Sequence, residues 1–152
     1  MISARVHRCL EPGMSIVVGA VDAHGAPSCC RGIALASNDD LRSVTVYLPV
    51  ATSHDTIENL ALTKRLAVAV MFPLDHSATQ IKGVVEETRL ARDDEAAFVR
   101  DRFEAFAGVL DAAGVPKRLT RSLMHWPAFA IRVRVEQVFE QTPGPKAGTR
   151  LQ

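Results

Sequence analysis

The sequence predicts a mainly β fold with flanking helices, an antiparallel barrel decorated by helices. Three observations carry this. Short β-branched or alternating runs recur along the chain, and the early ones are joined by turn-rich segments of hairpin length. Only one long segment, residues 92–113, repeats its apolar residues at a strong helical spacing. No glycine fingerprint lies between a strand and a helix, which argues against a dinucleotide-binding parallel sheet.

Each element has its own local reason. Residues 1–13 read as a short lead-in closed by Glu11-Pro12-Gly13. Met14 to Val21 is the first strand, and Asp22 to Pro27 is a turn in which Gly25 offers a positive φ. Ser28 to Ala36 reads as one returning strand, followed by the turn Asn38-Asp39-Asp40. Val44 to Leu48 is a β-branched third strand. Thr52-Ser53-His54-Asp55-Thr56 then opens a short helix with Ile57, Leu60 and Ala61 at helical spacing. Leu66 to Phe72 reads as a buried apolar strand, and Pro73 to His76 separates it from the alternating strand Ala78 to Glu86.

Arg92 to Ala113 is the strongest helix. Asp93 and Asp94 suit its N-terminal dipole, and Val99, Phe103, Phe106 and Leu110 form one apolar face. Gly114-Val115-Pro116 stops it, and Pro116 starts a second short helix toward Met124. Phe129 to Phe139 alternates as a half-exposed strand, and Thr142 to Gly148 is a rigid, non-helical tail. The sum is about six strands and three helices.

Composition narrows the function classes. A chain of 152 residues is read as one domain, 1–152, with 1–12 and 142–152 peripheral. Charged residues make up 23% and nearly cancel, to a formal +1, which excludes a general nucleic-acid binder. The longest apolar runs fall far short of the roughly 20 residues of a membrane span. The N-terminus lacks the apolar stretch of a signal peptide, so the expected location is the cytoplasm. Three cysteines are no disulfide framework. Adjacent Cys29 and Cys30 lie about 3.8 Å apart at Cα, too close for an unstrained bridge, and read as reduced, packing thiols.

The hydroxyls, the His and the free N–H groups at Thr52, Ser53, His54 and Thr56 sit just past a strand end, a cheap place to hold a phosphate. The same residue types are ordinary helix caps, and the residues alone leave both readings open. The histidines show no mutual spacing for a metal, and no Ser/His/Asp or Cys/His set is readable.

Several pieces, taken in order, resemble a known family. They are the hairpin Val21 to Pro27, the strand–helix pair Val46-Tyr47-Leu48 and Ile57-Glu58-Asn59-Leu60, and the run Lys64 to Val68. To these add Thr79 to Glu86 and the last strand beginning at His125-Trp126. Over residues 12–148 the chain resembles the FMN-binding split barrel of the pyridoxamine 5′-phosphate oxidase-like superfamily. The resemblance implies a six-stranded antiparallel split β-barrel of Greek-key type. It also implies a homodimer with FMN held at the subunit interface.

That family grips the FMN phosphate with an Arg on the second strand, a Ser/Thr–Arg–Lys set before the first helix, and a Gln on a long strand ending in Gly. Here Arg31 matches the strand Arg. Ser53, His54 and Thr56, with Asp55 among them, stand where the family often has Arg and Lys. Gln80 lies near the Gln position, and Lys82 shares its strand face and would supply the missing charge. The backbone of Gly32, Ile33 and Ala34 would border the ring, and Trp126 or Phe129 would line the site. Lys146 and Arg150 lie in a tail that would either reach the dimer partner or stay disordered.

The implied function is an FMN-dependent oxidoreductase acting on a small molecule, with no catalytic acid or base assigned. The alternative is a non-catalytic flavin- or haem-binding storage protein on the same barrel, with His54, His76 or His125 as axial ligand. FMN versus a deazaflavin stays open, and neither nucleic acid nor membrane is an expected partner.

Overall fold

The computed structural model describes residues 3–152; Met1 and Ile2, the start of the predicted lead-in, lie outside the described residues. The strands are β1 (Ser15–Val21), β2 (Pro27–Gly32), β3 (Ala34–Ser37), β4 (Ser43–Pro49), β5 (Arg65–Met71), β6 (Ala78–Leu90) and β7 (Ala128–Glu140). The helices are α1 (Ala4–Cys9), α2 (His54–Thr63), α3 (Ala96–Ala112) and α4 (Lys117–Arg121).

All neighbours pair antiparallel in one sheet of order β2-β1-β5-β6-β7-β4-β3. The two ends of that order, β2 and β3, are consecutive in the chain. The sheet therefore curls until its ends meet, as a split barrel does. This corrects the expected strand count from six to seven. The predicted strand Ser28 to Ala36 is two strands, because Ile33 already donates its N–H to Tyr47 O (2.9 Å) while Gly32 still pairs with Ile16 on β1. Gly32 sits at the crossing because a Cβ there would lie 2.5 Å from Ile16 Cγ2.

The expected lead-in is also a helix. Ser3 caps α1 by accepting from the Val6 N–H at 3.4 Å, and Val6 and Cys9 are buried beneath it. Six residues are too few to show a helical period, so no sequence pattern marked it. The turn at Gly25 (φ 86°) and the stop at Gly114 (φ 94°) are as expected, and Asp22 Oδ1 accepts from the His24 and Ala26 N–H groups at 2.8 Å.

Two apolar layers hold the elements. Alternate residues of the strands, among them Val18, Val46, Val68, Ile81, Val133 and Val138, fill the barrel, and Leu60 of α2 closes it. A second layer packs Val99, Phe103 and Phe106 of α3 on Ile33, Tyr47 and Ala130. This is the helix face expected from the sequence. β4 lies between the layers and is buried along its whole length.

A charged latch pins the start of α3. Glu95 accepts from both terminal nitrogens of Arg89 (2.8 Å each), from the Tyr47 hydroxyl (2.9 Å) and from the Arg92 N–H (2.6 Å). The Arg89 guanidinium is the main reason its carboxyl is held down to about 2, and burial, with Glu95 beside it, pushes the Tyr47 phenol up to about 12. A folded-state value below the ordinary 4.5 means stability that is fully present above pH 4.5 and drains as pH falls toward 2. Urea midpoints across that window should fall more steeply for the wild type than for Glu95→Gln, which at neutral pH should cost about 1.5–3 kcal/mol.

Glycines give a second test. A Cβ on Gly83 would lie 2.1 Å from Arg134 O, whereas Gly108 in α3 has open space. Thermal or urea unfolding should show Gly83→Ala destabilised by about 1–3 kcal/mol or more. Gly108→Ala should be stabilised by about 0.5–1 kcal/mol.

Candidate functional site

Strand pairing places side chains on the open face of the sheet in rows. One row runs Arg31–Val17–Ala69–Gln80–Phe139, and the next runs Cys29–Gly19–Ala67–Lys82–Gln137. β1 and β5, in the middle, present Val17, Gly19, Val21, Ala67, Ala69 and Met71 outward, with Val17 and Val21 each 38% exposed. The outer face of an antiparallel sheet is normally polar. Here its centre is apolar and low, and its polar groups stand at the sides.

Over the second row lies an open cleft of about 470 Å³. Gly19 and Ala67 form its floor, Cys29 stands on one side, and Lys82, Glu136 and Gln137 stand on the other, with Arg65 at the end. A β-bulge builds the polar side. Lys82 faces Gln137 while Gly83 faces Val135, so Glu136 is the extra residue of β7. Two consecutive side chains that a regular strand would send to opposite faces therefore line the same cleft. Glu136 takes up Arg65 at 2.7 Å and lies 3.4 Å from Arg134. Lys82 Nζ lies 4.9 Å from the centre of the Phe139 ring, and no carboxylate pairs with it among the described residues.

The residues expected from the sequence divide by geometry. Gln80 and Lys82 share the open face, and Arg31 lies in the Gln80 row. Three strand spacings, about 14 Å, separate Arg31 from Gln80. Arg31 is held by the Phe106 ring (5.5 Å) and donates to Ser15 Oγ (3.3 Å). Gly32 is spent on the crossing, and Ile33 and Ala34 are buried under α3.

The start of α2 lies behind Ser28, which lines the cleft. Ser53 is 1% exposed and donates to Pro49 O at 2.6 Å rather than capping the helix. Thr56 is buried against Ser28 (3.5 Å). His54 is exposed beside Glu58 at 3.4 Å, and Asp55 lies in the first turn. One unit charge repels a like charge 4 Å away by roughly 1 kcal/mol in water and roughly 4 kcal/mol near a protein surface. A helix N-terminus returns about 0.3–1 kcal/mol to an anion. With the hydroxyls engaged and Asp55 in the first turn, this helix start offers a phosphate its backbone N–H groups but no lysine or arginine.

Trp126 packs in the α3 layer and Phe129 against the barrel core, so neither lines the cleft. His54, His76 and His125 are exposed, and none lines the cleft. The tail folds back on its own chain: Phe139 bridges Arg150, the Gly148 N–H donates to Glu140 O (2.7 Å), and the Leu151 N–H donates to Val138 O (2.7 Å). Lys146 lines an open hollow of about 410 Å³ together with Arg5 and Ser77 of the same chain. Glu136 and Gln137 were not singled out from the sequence, because a bulge leaves no local signature. Among the described residues no helix is long and apolar enough to cross a membrane.

No family model matches the sequence, and no curated protein matches it. Solved structures do. The chain is similar to HupZ of Group A Streptococcus at 17% identity and TM-score 0.59, over 97% of this chain and 100% of that one. It is similar to an F420 reductase at 16% identity and TM-score 0.56, over 87% and 94%. It is also similar to a pyridoxamine 5′-phosphate oxidase-related, FMN-binding protein of Nostoc punctiforme at 12% identity and TM-score 0.51, over 93% and 84%. The chain shares the split-barrel fold of these structures.

The three thiols differ in their surroundings. Cys29 is exposed on the cleft, whereas Cys9 and Cys30 are buried, and burial pushes both of their thiols up. A thiol-reactive dye should label Cys29 first, Cys29→Ser should abolish that fast phase, and Cys9 and Cys30 should react only on unfolding.

Proposed function

We propose that this protein is a homodimeric flavoprotein that binds FMN on the open sheet face and acts as an oxidoreductase on a small molecule. One observation carries the reading: the apolar centre of that face, on β1 and β5, with a cleft on it and polar groups at its sides. Both strands are written as nearly continuous apolar runs, the pattern of two-sided burial, and the chain itself covers only one side. An apolar patch flanked by polar groups marks an interface or a ligand groove. A second copy and a planar cofactor would together cover it. The fold shared with an FMN-binding protein and with an F420 reductase supports the choice of cofactor class.

The residues present fit such a group. A floor of Gly19 and Ala67 admits a flat ring, and the volume lies in the range of about 300–1,000 Å³ typical of ligand sites. Gln80 offers an amide to a ring edge, and Lys82 offers a cation. When bound, FMN supplies hydride and one-electron chemistry. The chain's own part is to bind, orient and shield it, and Gln80 and Lys82 are the groups placed to do so.

The test is spectral and hydrodynamic. Protein dialysed against FMN should keep a two-banded flavin spectrum and run as a dimer in light scattering. Ala69→Asp, which sets a charge in the apolar centre, should give a monomer that loses the flavin. NAD(P)H oxidation by the loaded protein is expected; flavin retention without turnover would make it a storage protein. A Soret band after haem loading, with no flavin retained, would overturn the flavin assignment.

A further inference from the structure

We propose that this site holds the phosphate of its mononucleotide at Lys82, beside Gln137, and not at the start of α2. The inference rests on the flavin reading above and concerns which residues of this chain carry the cofactor's charge.

Elimination among the cations leaves one candidate. At α2 the hydroxyls of Ser53 and Thr56 are engaged inside the fold, and the first turn adds Asp55 without a lysine or arginine. Arg65 lines the cleft but is neutralised by Glu136 at 2.7 Å. Arg31 lies outside the cleft lining and is drawn toward Phe106 and Ser15. Lys82 is the cation of the cleft with no carboxylate partner among the described residues.

Lys82 also has the right neighbours. The Phe139 ring at 4.9 Å steadies Nζ without neutralising it. Gln137, directly opposite on β7, brings a side-chain amide with two donors to the same wall. The bulge at Glu136 does two things at once. It brings Glu136 to the same side of β7 as Gln137, and it thereby supplies the carboxylate that occupies Arg65. The result is one ammonium and one amide, a set suited to a monoester phosphate beside the apolar floor of the cleft.

The experiment compares FMN with riboflavin, which lacks the phosphate, by fluorescence titration of wild type, Lys82→Gln, Lys82→Arg and Asp55→Asn. Wild type should prefer FMN, with a preference that weakens as salt rises. Lys82→Gln should lose about tenfold in FMN affinity and almost nothing in riboflavin affinity, and Lys82→Arg should restore most of the loss. Asp55→Asn should change FMN affinity by less than about twofold, because the proposal seats the phosphate at Lys82 and not on the first turn of α2 that carries Asp55. An unchanged FMN preference in Lys82→Gln, or a large gain in Asp55→Asn, would overturn the proposal and return the phosphate to α2. Equal wild-type affinity for the two flavins would overturn it while leaving the flavin reading intact. Binding of neither flavin would remove that reading itself, and this proposal with it.

Discussion

A single stretch of chain, from Pro27 to Ser37, has to serve both ends of one sheet, and the fold is organised around that constraint. Up to Gly32 the backbone answers β1; from Ile33 it answers β4. The change of partner has no loop to absorb it, so the sheet bends to bring its ends together. A side chain at position 32 would fill the space that Ile16 occupies. Once the ends meet, the inward side chains of the strands have no choice but to pack together, and α2 lids the barrel they form. β4, next to the crossing, then becomes the strand on which α3 rests.

The cover supplied by α3 is local, and this sets where a partner or ligand can bind. α3 lies over β3, β4 and the start of β7, fastened by Glu95 to Arg89 and Tyr47. It leaves the outer side of β1 and β5 bare. Keeping valines and alanines in water forfeits roughly 25 cal/mol for each Å² of apolar surface left uncovered. A chain that met only solvent there would gain by carrying polar residues, as the outer face of β7 does with Arg132, Arg134 and Glu136. The contrast between the two parts of one sheet face leaves an apolar centre on β1 and β5 beside the cleft.

Much of this was legible in the chain. The helix 92–113 announced its buried face through Val99, Phe103, Phe106 and Leu110, since a helix returns the same face every three to four residues. The hairpin at Gly25 and the stop at Gly114 were marked by the one residue that takes positive φ without strain. The seventh strand was hidden because Ser28 to Ala36 is continuous in pattern, and a change of pairing partner costs the pattern nothing. Leu66 to Phe72 read as buried throughout, yet Ala69 faces outward. Apolar character records what a residue is suited to touch, not whether this chain provides it.

The site divides along the same line. The sequence by itself determined the strands and helices, the apolar faces and the presence of Gln80 and Lys82 on one strand face, because these follow from local periodicity. It also determined that the start of α2 carries Asp55 in place of cations. Only the tertiary structure decided that Ser53 and Thr56 turn their hydroxyls inward, that Arg31 leans on Phe106, and that Glu136 claims Arg65 and leaves Lys82 without a carboxylate among the described residues. Those outcomes depend on which strand lies beside which, and on one residue of bulge in β7. Such facts arise from contacts between segments far apart in the chain, where no local pattern can record them.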